Sequence, residues 1–121
     1  MNRSLLIIGA GTYGRFVQEI AQEMRCFDQI DFLDNYAKNT VGTFVDYEKK
    51  AEIYSHAIAV VENPQLRLEW IHKLEEAGFI VPALVHPLAY IAPSAQIQKG
   101  CIIEPQAVVQ TGSVQDRKSV V

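Results

Sequence analysis

The sequence predicts an α/β fold, in which a small parallel sheet with flanking helices is followed by the first repeats of a β-helix. A short apolar run, Leu5 to Ile8, continues into a glycine-rich turn and then into a helical pattern. Two further strand-like runs alternate with helical stretches, an order typical of parallel sheets. From residue 89 onward, aliphatic residues recur with a period of six, which ordinary helices and strands do not have.

Length, composition and charge limit the class of protein. A chain of 121 residues accommodates one domain, or one small domain with an appendage. Its net charge of −3 provides no basic surface for nucleic acid, and no apolar run approaches the roughly 18 residues of a membrane span. Cys26 and Cys101 form no metal or redox motif, and the N-terminal sequence does not fit a signal peptide. We therefore expect a cytoplasmic protein with reduced thiols.

The first predicted strand leads into a glycine loop that is typical of phosphate binding. Gly9-Ala10-Gly11-Thr12-Tyr13-Gly14 fits the pattern G-x-G-x-x-G, and a helix is predicted from about Tyr13 to Arg25. Gly9 can take the tight turn, Gly11 lets a ligand approach the backbone, and free N–H groups at the helix start can bind an anion. The alternative is a turn that packs the helix closely against the strand and binds nothing. The motif and its context predict a Rossmann-like unit.

A second strand-like run, Ile30 to Leu33, ends at an acidic residue. Asp34 lies 20 residues beyond the last glycine of the loop, where an acid can reach a ribose hydroxyl or a base edge. Asp34-Asn35 could equally be only the turn that closes the strand. Two weaker elements follow, an extended connection over Asn39 to Asp46 and a poorly packed helix over Tyr47 to Tyr54.

A third strand, Ala57 to Val61, is predicted to lead into a second helix. Asn63-Pro64 is a helix-start signal, with asparagine as the N-cap and proline at the first helical position. Leu68, Ile71 and Leu74 indicate the buried face of this helix, and Gly78 indicates its end. Phe79-Ile80-Val81 then indicates a fourth strand.

The loops after the three strands are expected to meet, because the carboxyl ends of parallel strands share one edge of a sheet. This would bring together Gly11 to Tyr13, Asp34-Asn35 and Glu62-Asn63. Arg67, one turn into the second helix, could add a cation there, or could be a solvated charge beside Glu69. No Ser, Cys or second His stands at catalytic or metal spacing from the three histidines, so we expect structural or surface roles for His56, His72 and His86.

The six-residue repeat near the end predicts a hexapeptide β-helix. Ile91, Ile97, Ile103 and Val109 are in register, and Val121 returns to it after an interruption at Gln115. Each aliphatic side chain would point into a triangular prism whose corners are small residues. A chance alternation in an extended tail is the alternative. Because each coil needs a neighbour and the pattern stops without a polar cap, we expect the sequence to be a fragment.

Taken together, the two parts resemble the sialic-acid O-acetyltransferase and bacterial amino-sugar N-acetyltransferase family, the NeuD/PglD type. The resemblance covers the whole chain and divides it into an N-terminal domain, residues 1–84, and the beginning of a left-handed β-helix domain, residues 85–121. The features that carry it are LLIIGAG near the start, the aspartate of FLDN, the stretch Asn63-Pro64-Gln65-Leu66-Arg67, and the joint containing VHP, IAPSA and KG, which is the most specific.

The resemblance implies an acetyl-CoA-dependent sugar acetyltransferase that acts on a nucleotide sugar or sialic acid in surface-polysaccharide or glycan biosynthesis. It implies a homotrimer in which acetyl-CoA binds between β-helices and a β-helix histidine is the general base. That histidine and most of the acetyl-CoA site would follow residue 121, so we expect this chain to be catalytically silent. The implied acceptor-binding residues are Gly9, Ala10, Gly11, Thr12, Tyr13, Asp34, Asn35, Asn63 and Arg67.

The chain departs from the family pattern at three places. Gly11-Thr12-Tyr13-Gly14 stands where the family usually has Gly-Gly-His-Gly, Glu62 replaces a frequent glycine, and Gln115 interrupts the β-helix core. Two alternatives stay open. One is an NAD(P)-binding fragment of an oxidoreductase, although the hexapeptide register argues against it. The other is a non-catalytic assembly module whose nucleotide pocket has decayed, as Thr12, Tyr13 and Glu62 would allow.

Overall fold

A computed structural model, which describes residues 3–117 and 119–121, confirms the predicted fold class. Its first part is a parallel three-stranded sheet in which the first strand of the chain lies between the second and the third. Two α-helices and a 3₁₀ helix connect and flank these strands. The bounds are β1 (Ser4–Ile8), α1 (Thr12–Met24), β2 (Gln29–Leu33), the 3₁₀ helix (Phe44–Glu52), β3 (His56–Ala59) and α2 (Pro64–Glu76).

The central strand, β1, is buried on both faces, which explains its unbroken apolar sequence. Successive side chains of a strand point to opposite faces, so Leu5 and Ile7 pack with α1 while Leu6 and Ile8 pack with α2. The helices contribute the apolar faces that their spacing predicts, with Val17, Ile20 and Ala21 from α1 and Ile71 and Leu74 from α2.

The start of α2 confirms the predicted capping signal. The Asn63 side chain accepts hydrogen bonds from the backbone N–H groups of Gln65 and Leu66 at 2.9 and 3.2 Å, and Pro64 is the first helical residue. The predicted helix over residues 47–54 is instead a 3₁₀ helix that begins at Phe44. None of its residues is buried, in agreement with the weak packing expected there.

The predicted fourth strand at residues 79–81 is wrong. Ile80 makes a single parallel bridge to His56 and no regular strand forms in this described stretch. Pro82 follows directly, and it has no N–H group to continue the hydrogen-bond ladder. The third strand is also shorter than predicted, since it ends at Ala59 and leaves Val60 and Val61 in the loop that follows.

The second part of the chain is the beginning of a parallel β-helix. Its six short strands form three parallel pairs, and paired residues are 18 positions apart, which corresponds to three hexapeptides per coil. The interior holds Ile103 and Val109, with Ile91, Ile97 and Val121 packed against them. This arrangement excludes an extended tail. The strands are β4 (Leu84–Val85), β5 (Tyr90–Ile91), β6 (Gln96–Ile97), β7 (Ile102–Ile103), β8 (Val108–Val109) and β9 (Val114–Gln115).

The β-helix and the sheet are joined by a shared apolar core. Leu84 of β4 and Ile102 of β7 are buried in the same cluster as the α1 face of the sheet. An ion pair between Lys99 and Glu75 joins a β-helix turn to α2, which packs on the opposite face of the sheet from α1. The division after residue 84 stays a prediction. In the described ranges, 3–117 and 119–121, no helix combines the length and apolar character that a membrane span requires.

Candidate functional site

A cleft of about 730 Å³ opens at the carboxyl edge of the sheet, where loops from all three strands meet as predicted. Its wall includes the glycine loop after β1, Asp34 after β2, and Glu62 after β3. Six of the nine residues that the resemblance implies for acceptor binding line it, namely Gly9, Gly11, Thr12, Tyr13, Asp34 and Arg67. Clefts at this edge are the usual ligand sites of open α/β sheets.

Each of the three glycines in the loop has a different structural role. Gly9 has a backbone φ of +114°, a conformation that residues with a side chain rarely adopt. A Cβ atom on Gly14 would lie 2.0 Å from the Gly9 carbonyl oxygen, so helix α1 can start this close to β1 only without a side chain there. Around Gly11, by contrast, no described atom lies within 4 Å of an added Cβ. The fold therefore requires the first and last glycines, whereas the middle one leaves open space at the cleft.

The start of helix α1 supplies hydrogen-bond donors to this open space. Gly11 is the N-cap residue and has no side chain that could satisfy the first N–H groups of the helix. The first turn, which begins at Thr12, carries no acidic residue. These N–H groups and the positive end of the helix dipole favour an anionic ligand at the glycine loop.

Asp34 ties two loops of the cleft together. Its Oδ1 accepts a hydrogen bond from the Ala10 N–H at 3.3 Å, and its Oδ2 accepts from the Tyr36 and Ala37 N–H groups at 3.1 and 2.7 Å. The Ala37 bond, helped by the other two, holds the pKa of this carboxyl below its usual value despite partial desolvation. Asp34 thus closes the turn, as one sequence interpretation predicts, and the same residue lines the cleft.

These hydrogen bonds predict an acid-sensitive contribution of Asp34 to stability. Because the folded-state pKa lies below the unfolded value of about 3.9, the contribution is present above about pH 5 and is lost as the pH falls through the folded pKa. Asp34→Asn, which cannot ionise, should therefore lose less unfolding free energy than the wild type between pH 6 and pH 3. Urea unfolding at a series of pH values measures this difference. Parallel curves for the two proteins would contradict the assignment.

Arg67 is buried beside the cleft, so its interpretation as a solvated charge is wrong. The residue is 8% exposed, and its Nη2 donates a hydrogen bond to the Val61 carbonyl oxygen at 2.8 Å. The Val61 bond fixes the guanidinium against the loop after β3. A fixed cation and the start of α1 then border the same space, which favours a phosphate group there.

Tyr13 connects the glycine loop to the β-helix. Its hydroxyl donates a hydrogen bond to Oε2 of Glu104, in the turn after β7, at 3.1 Å. Burial and the neighbouring carboxylate raise the pKa of the Tyr13 hydroxyl well above its usual value, so the phenol stays protonated at neutral pH. Sequence reasoning missed Glu104, because no local signal relates two residues that the fold alone brings together.

Three of the implied acceptor-binding residues lie outside this cleft. Ala10 borders a smaller neighbouring cleft of about 230 Å³. Asn35 accepts a hydrogen bond from the Phe44 N–H at 3.0 Å, and Asn63 caps α2. A binding role for these residues stays a prediction. The cleft residues that the sequence did not single out are mainly apolar, Phe16, Val60 and Val61, and the two valines had been assigned to the third strand.

The histidines lie in structural or surface surroundings. His56 is buried, its Nδ1 lies 2.7 Å from the Ser55 hydroxyl oxygen, and burial lowers its pKa. The Nδ1 of His86 accepts a hydrogen bond from the Leu88 N–H at 3.0 Å, and His72 is exposed on α2. None of the three lines the 730 Å³ cleft.

Fold and site together define a class of protein, one in which a Rossmann-like unit with a glycine-loop cleft is joined to a parallel β-helix. Residues 4–81 match the sequence profile of the family described as the PglD N-terminal domain. The chain belongs to this family. This agrees with the NeuD/PglD resemblance drawn from the sequence.

Solved structures of acetyltransferases share the fold. The acetyltransferase domain of PglB from Neisseria gonorrhoeae FA1090, in complex with acetyl coenzyme A, has a TM-score of 0.91 and 31% identity over 100% of this chain. Another structure of that domain has a TM-score of 0.88 and 32% identity, covering 99% of this chain and 65% of that one. A mutant of perosamine N-acetyltransferase from Caulobacter crescentus, in complex with CoA and GDP-perosamine, has a TM-score of 0.73. It is 21% identical over 93% of this chain and 62% of that one, a likeness that shows the fold alone.

The chain is shorter than these relatives. It spans 62% of the PglB acetyltransferase domain that was solved with acetyl coenzyme A. The matched domain shows membership of the PglD N-terminal domain family, and the activity of the whole protein is therefore a proposal.

Proposed function

We propose that the cleft binds a nucleotide sugar and that the chain is the acceptor-binding portion of an acetyl-CoA-dependent sugar acetyltransferase. The observation that carries the proposal is the convergence of the glycine loop, the uncapped start of α1 and the buried Arg67 on one 730 Å³ cleft, in a member of the PglD N-terminal domain family. The two sources of positive charge suit the phosphates of a nucleoside diphosphate, and the acidic residue, Asp34, suits its ribose.

Each part of the ligand has a suitable partner in the cleft. The N–H groups after Gly11 and the guanidinium of Arg67 would hold the diphosphate, whose charge both favour. Asp34 would accept a hydrogen bond from a ribose hydroxyl with the lone pairs that the turn leaves available. The sugar would then extend toward the β-helix, on the side of the cleft where Tyr13 is hydrogen-bonded to Glu104.

The proposed reaction joins this acceptor to acetyl-CoA. An amine or hydroxyl of the sugar attacks the thioester carbonyl, a C–N or C–O bond forms, the C–S bond breaks, and the proton lost by the sugar passes through a base to the CoA sulfur. We propose acetyl-CoA as the donor because the PglB acetyltransferase domain was solved in complex with it. A homotrimer, a role in surface-polysaccharide or glycan biosynthesis and catalytic silence of the 121 residues alone remain predictions.

Calorimetric titration of the purified chain with UDP-, GDP- and CMP-sugars, with NAD for comparison, tests the proposal. We expect one nucleotide sugar to bind and NAD not to bind. Binding of NAD alone would favour the oxidoreductase interpretation. Binding of none of them would favour an assembly module, for which Glu62 at the cleft is the supporting observation, because its carboxylate repels a diphosphate.

The variant Gly11→Val tests whether the ligand binds in the cleft. Apart from its chain neighbours, no described atom lies within 4 Å of a Cβ atom at this position, and valine tolerates the backbone φ of −73°. We expect at least about tenfold weaker binding, with a thermal unfolding midpoint within a few degrees of the wild type. Unchanged affinity would place the ligand elsewhere and contradict the proposed site.

A further inference from the structure

One residue that lines the cleft, Tyr13, is hydrogen-bonded to a charged residue of the β-helix. Tyr13 lines the cleft and its hydroxyl donates to Glu104, whose backbone is fixed in turn by hydrogen bonds within the β-helix. The Glu104 N–H donates to the Val121 carbonyl oxygen at 2.6 Å, and the Glu104 carbonyl oxygen accepts from the Ala107 N–H at 3.2 Å. The pair is thus held from both sides, by helix α1 and by the coil.

The direction of this hydrogen bond determines whether Tyr13 can accept a further hydrogen bond from a ligand in the cleft or donate one to it. A tyrosine hydroxyl has one proton and two acceptor lone pairs. Because the proton points to Glu104, the lone pairs are left for another donor. The raised pKa of the phenol keeps the proton in place, and the carboxylate behind it makes the position unfavourable for a second anion.

We propose that Tyr13 and Glu104 orient the acceptor sugar, with the Tyr13 oxygen accepting a hydrogen bond from an amine or hydroxyl group of that sugar. This inference rests on the proposed function and adds the recognition of one ligand group to it. Tyr13 contacts the ligand, and Glu104 is a positioning residue that acts through Tyr13. Tyr13 transfers no proton, since its own proton remains shared with Glu104.

The placement of charges separates this end of the cleft from the phosphate end. The start of α1 and Arg67 attract anionic oxygens, whereas the Tyr13–Glu104 pair accepts donors and disfavours anions. A nucleoside diphosphate alone can bind to the start of α1 and Arg67 without contacting the Tyr13–Glu104 pair. The sugar attached to it is the part that reaches the pair, so loss of the pair should weaken binding of the nucleotide sugar and spare the diphosphate.

The test compares two ligands on the same variants of the whole 121-residue chain. UDP- and GDP-linked amino sugars are titrated calorimetrically, each beside UDP or GDP alone. For Tyr13→Phe, which keeps the ring and its packing against Phe16, we expect about tenfold weaker binding of the nucleotide sugar and less than a twofold change for the diphosphate. Glu104→Ala should behave like Tyr13→Phe. Glu104→Gln should recover most of the affinity, because its amide oxygen can still accept from the phenol.

Tyr90→Phe is the matched control, because Tyr90 is 59% exposed on β5 and does not line the cleft. It should bind both ligands as the wild type does. Equal affinity of wild type and Tyr13→Phe for the nucleotide sugar would overturn the inference, and so would an equal loss for both ligands. If the wild type binds no nucleotide sugar, the proposed function fails first, and that result is distinct from the other two.

Discussion

Replacement of Gly14 by alanine is expected to destabilise the protein by about 3 kcal/mol or more. The added Cβ would lie 2.0 Å from the carbonyl oxygen of Gly9, a backbone atom that cannot move aside as a flexible side chain can. Gly9 in turn holds a φ of +114° between β1 and the glycine loop. Relief of the overlap would separate α1 from the sheet and open the apolar core between them.

Urea unfolding followed by circular dichroism measures this effect, with Gly11→Ala as the matched control. Gly11 belongs to the same loop, but an alanine there meets no described atom within 4 Å and needs no unusual backbone angle. Because Gly11 is the N-cap of α1 and alanine is less favourable there, its unfolding free energy should fall by no more than about 1 kcal/mol. Similar stabilities for the two variants would show that the loop can relax away from the Gly9 carbonyl.

Leu84→Ala is expected to cost about 2 to 5 kcal/mol of unfolding free energy. Leu84 is 0% exposed and lies in the cluster formed by α1 and one face of the sheet, although it belongs to the first β-helix strand. Its truncation would leave a cavity between the two parts of the chain. We therefore expect a loss of stability shared by both parts.

Leu88→Ala is the control for this prediction, since Leu88 is 66% exposed and follows β4 by only a few residues. It should change the unfolding free energy by less than about 0.5 kcal/mol. Hydrogen exchange of the β1 amides supplies the second measurement. Faster exchange in Leu84→Ala would be expected, and unchanged exchange in β1 would mean that the β-helix unfolds independently of the sheet.

The fold follows from the sequence because its strongest signals are periodic and local. The apolar run at Leu5 to Ile8, the glycine turn and the Asn63-Pro64 start of α2 each specify local structure by their own side chains. The six-residue repeat similarly specifies a coil. Element ends were less predictable, as at Val60 and Val61, because apolar residues beyond a strand line the cleft instead of extending the sheet.

The candidate site was only partly predictable. The loops that meet at the cleft follow from strand order. The helical spacing places Arg67 on the same face of α2 as Ile71 and Leu74, but charged residues are normally exposed, so its burial did not follow from its residue type. The hydrogen bond between Tyr13 and Glu104 joins two parts of the fold that lie far apart in sequence. A contact of this kind follows only from the completed tertiary structure.

The shared core at Leu84 and Ile102 also makes the cleft mechanically dependent on the coil. Helix α1 rests on these two β-helix residues and carries the glycine loop at its first turn. A substitution inside the coil can therefore shift the proposed phosphate-binding end of the cleft without contacting any ligand. We therefore expect the ligand affinity of the proposed site to respond to how tightly the coil is packed, because the β-helix supports helix α1 from below.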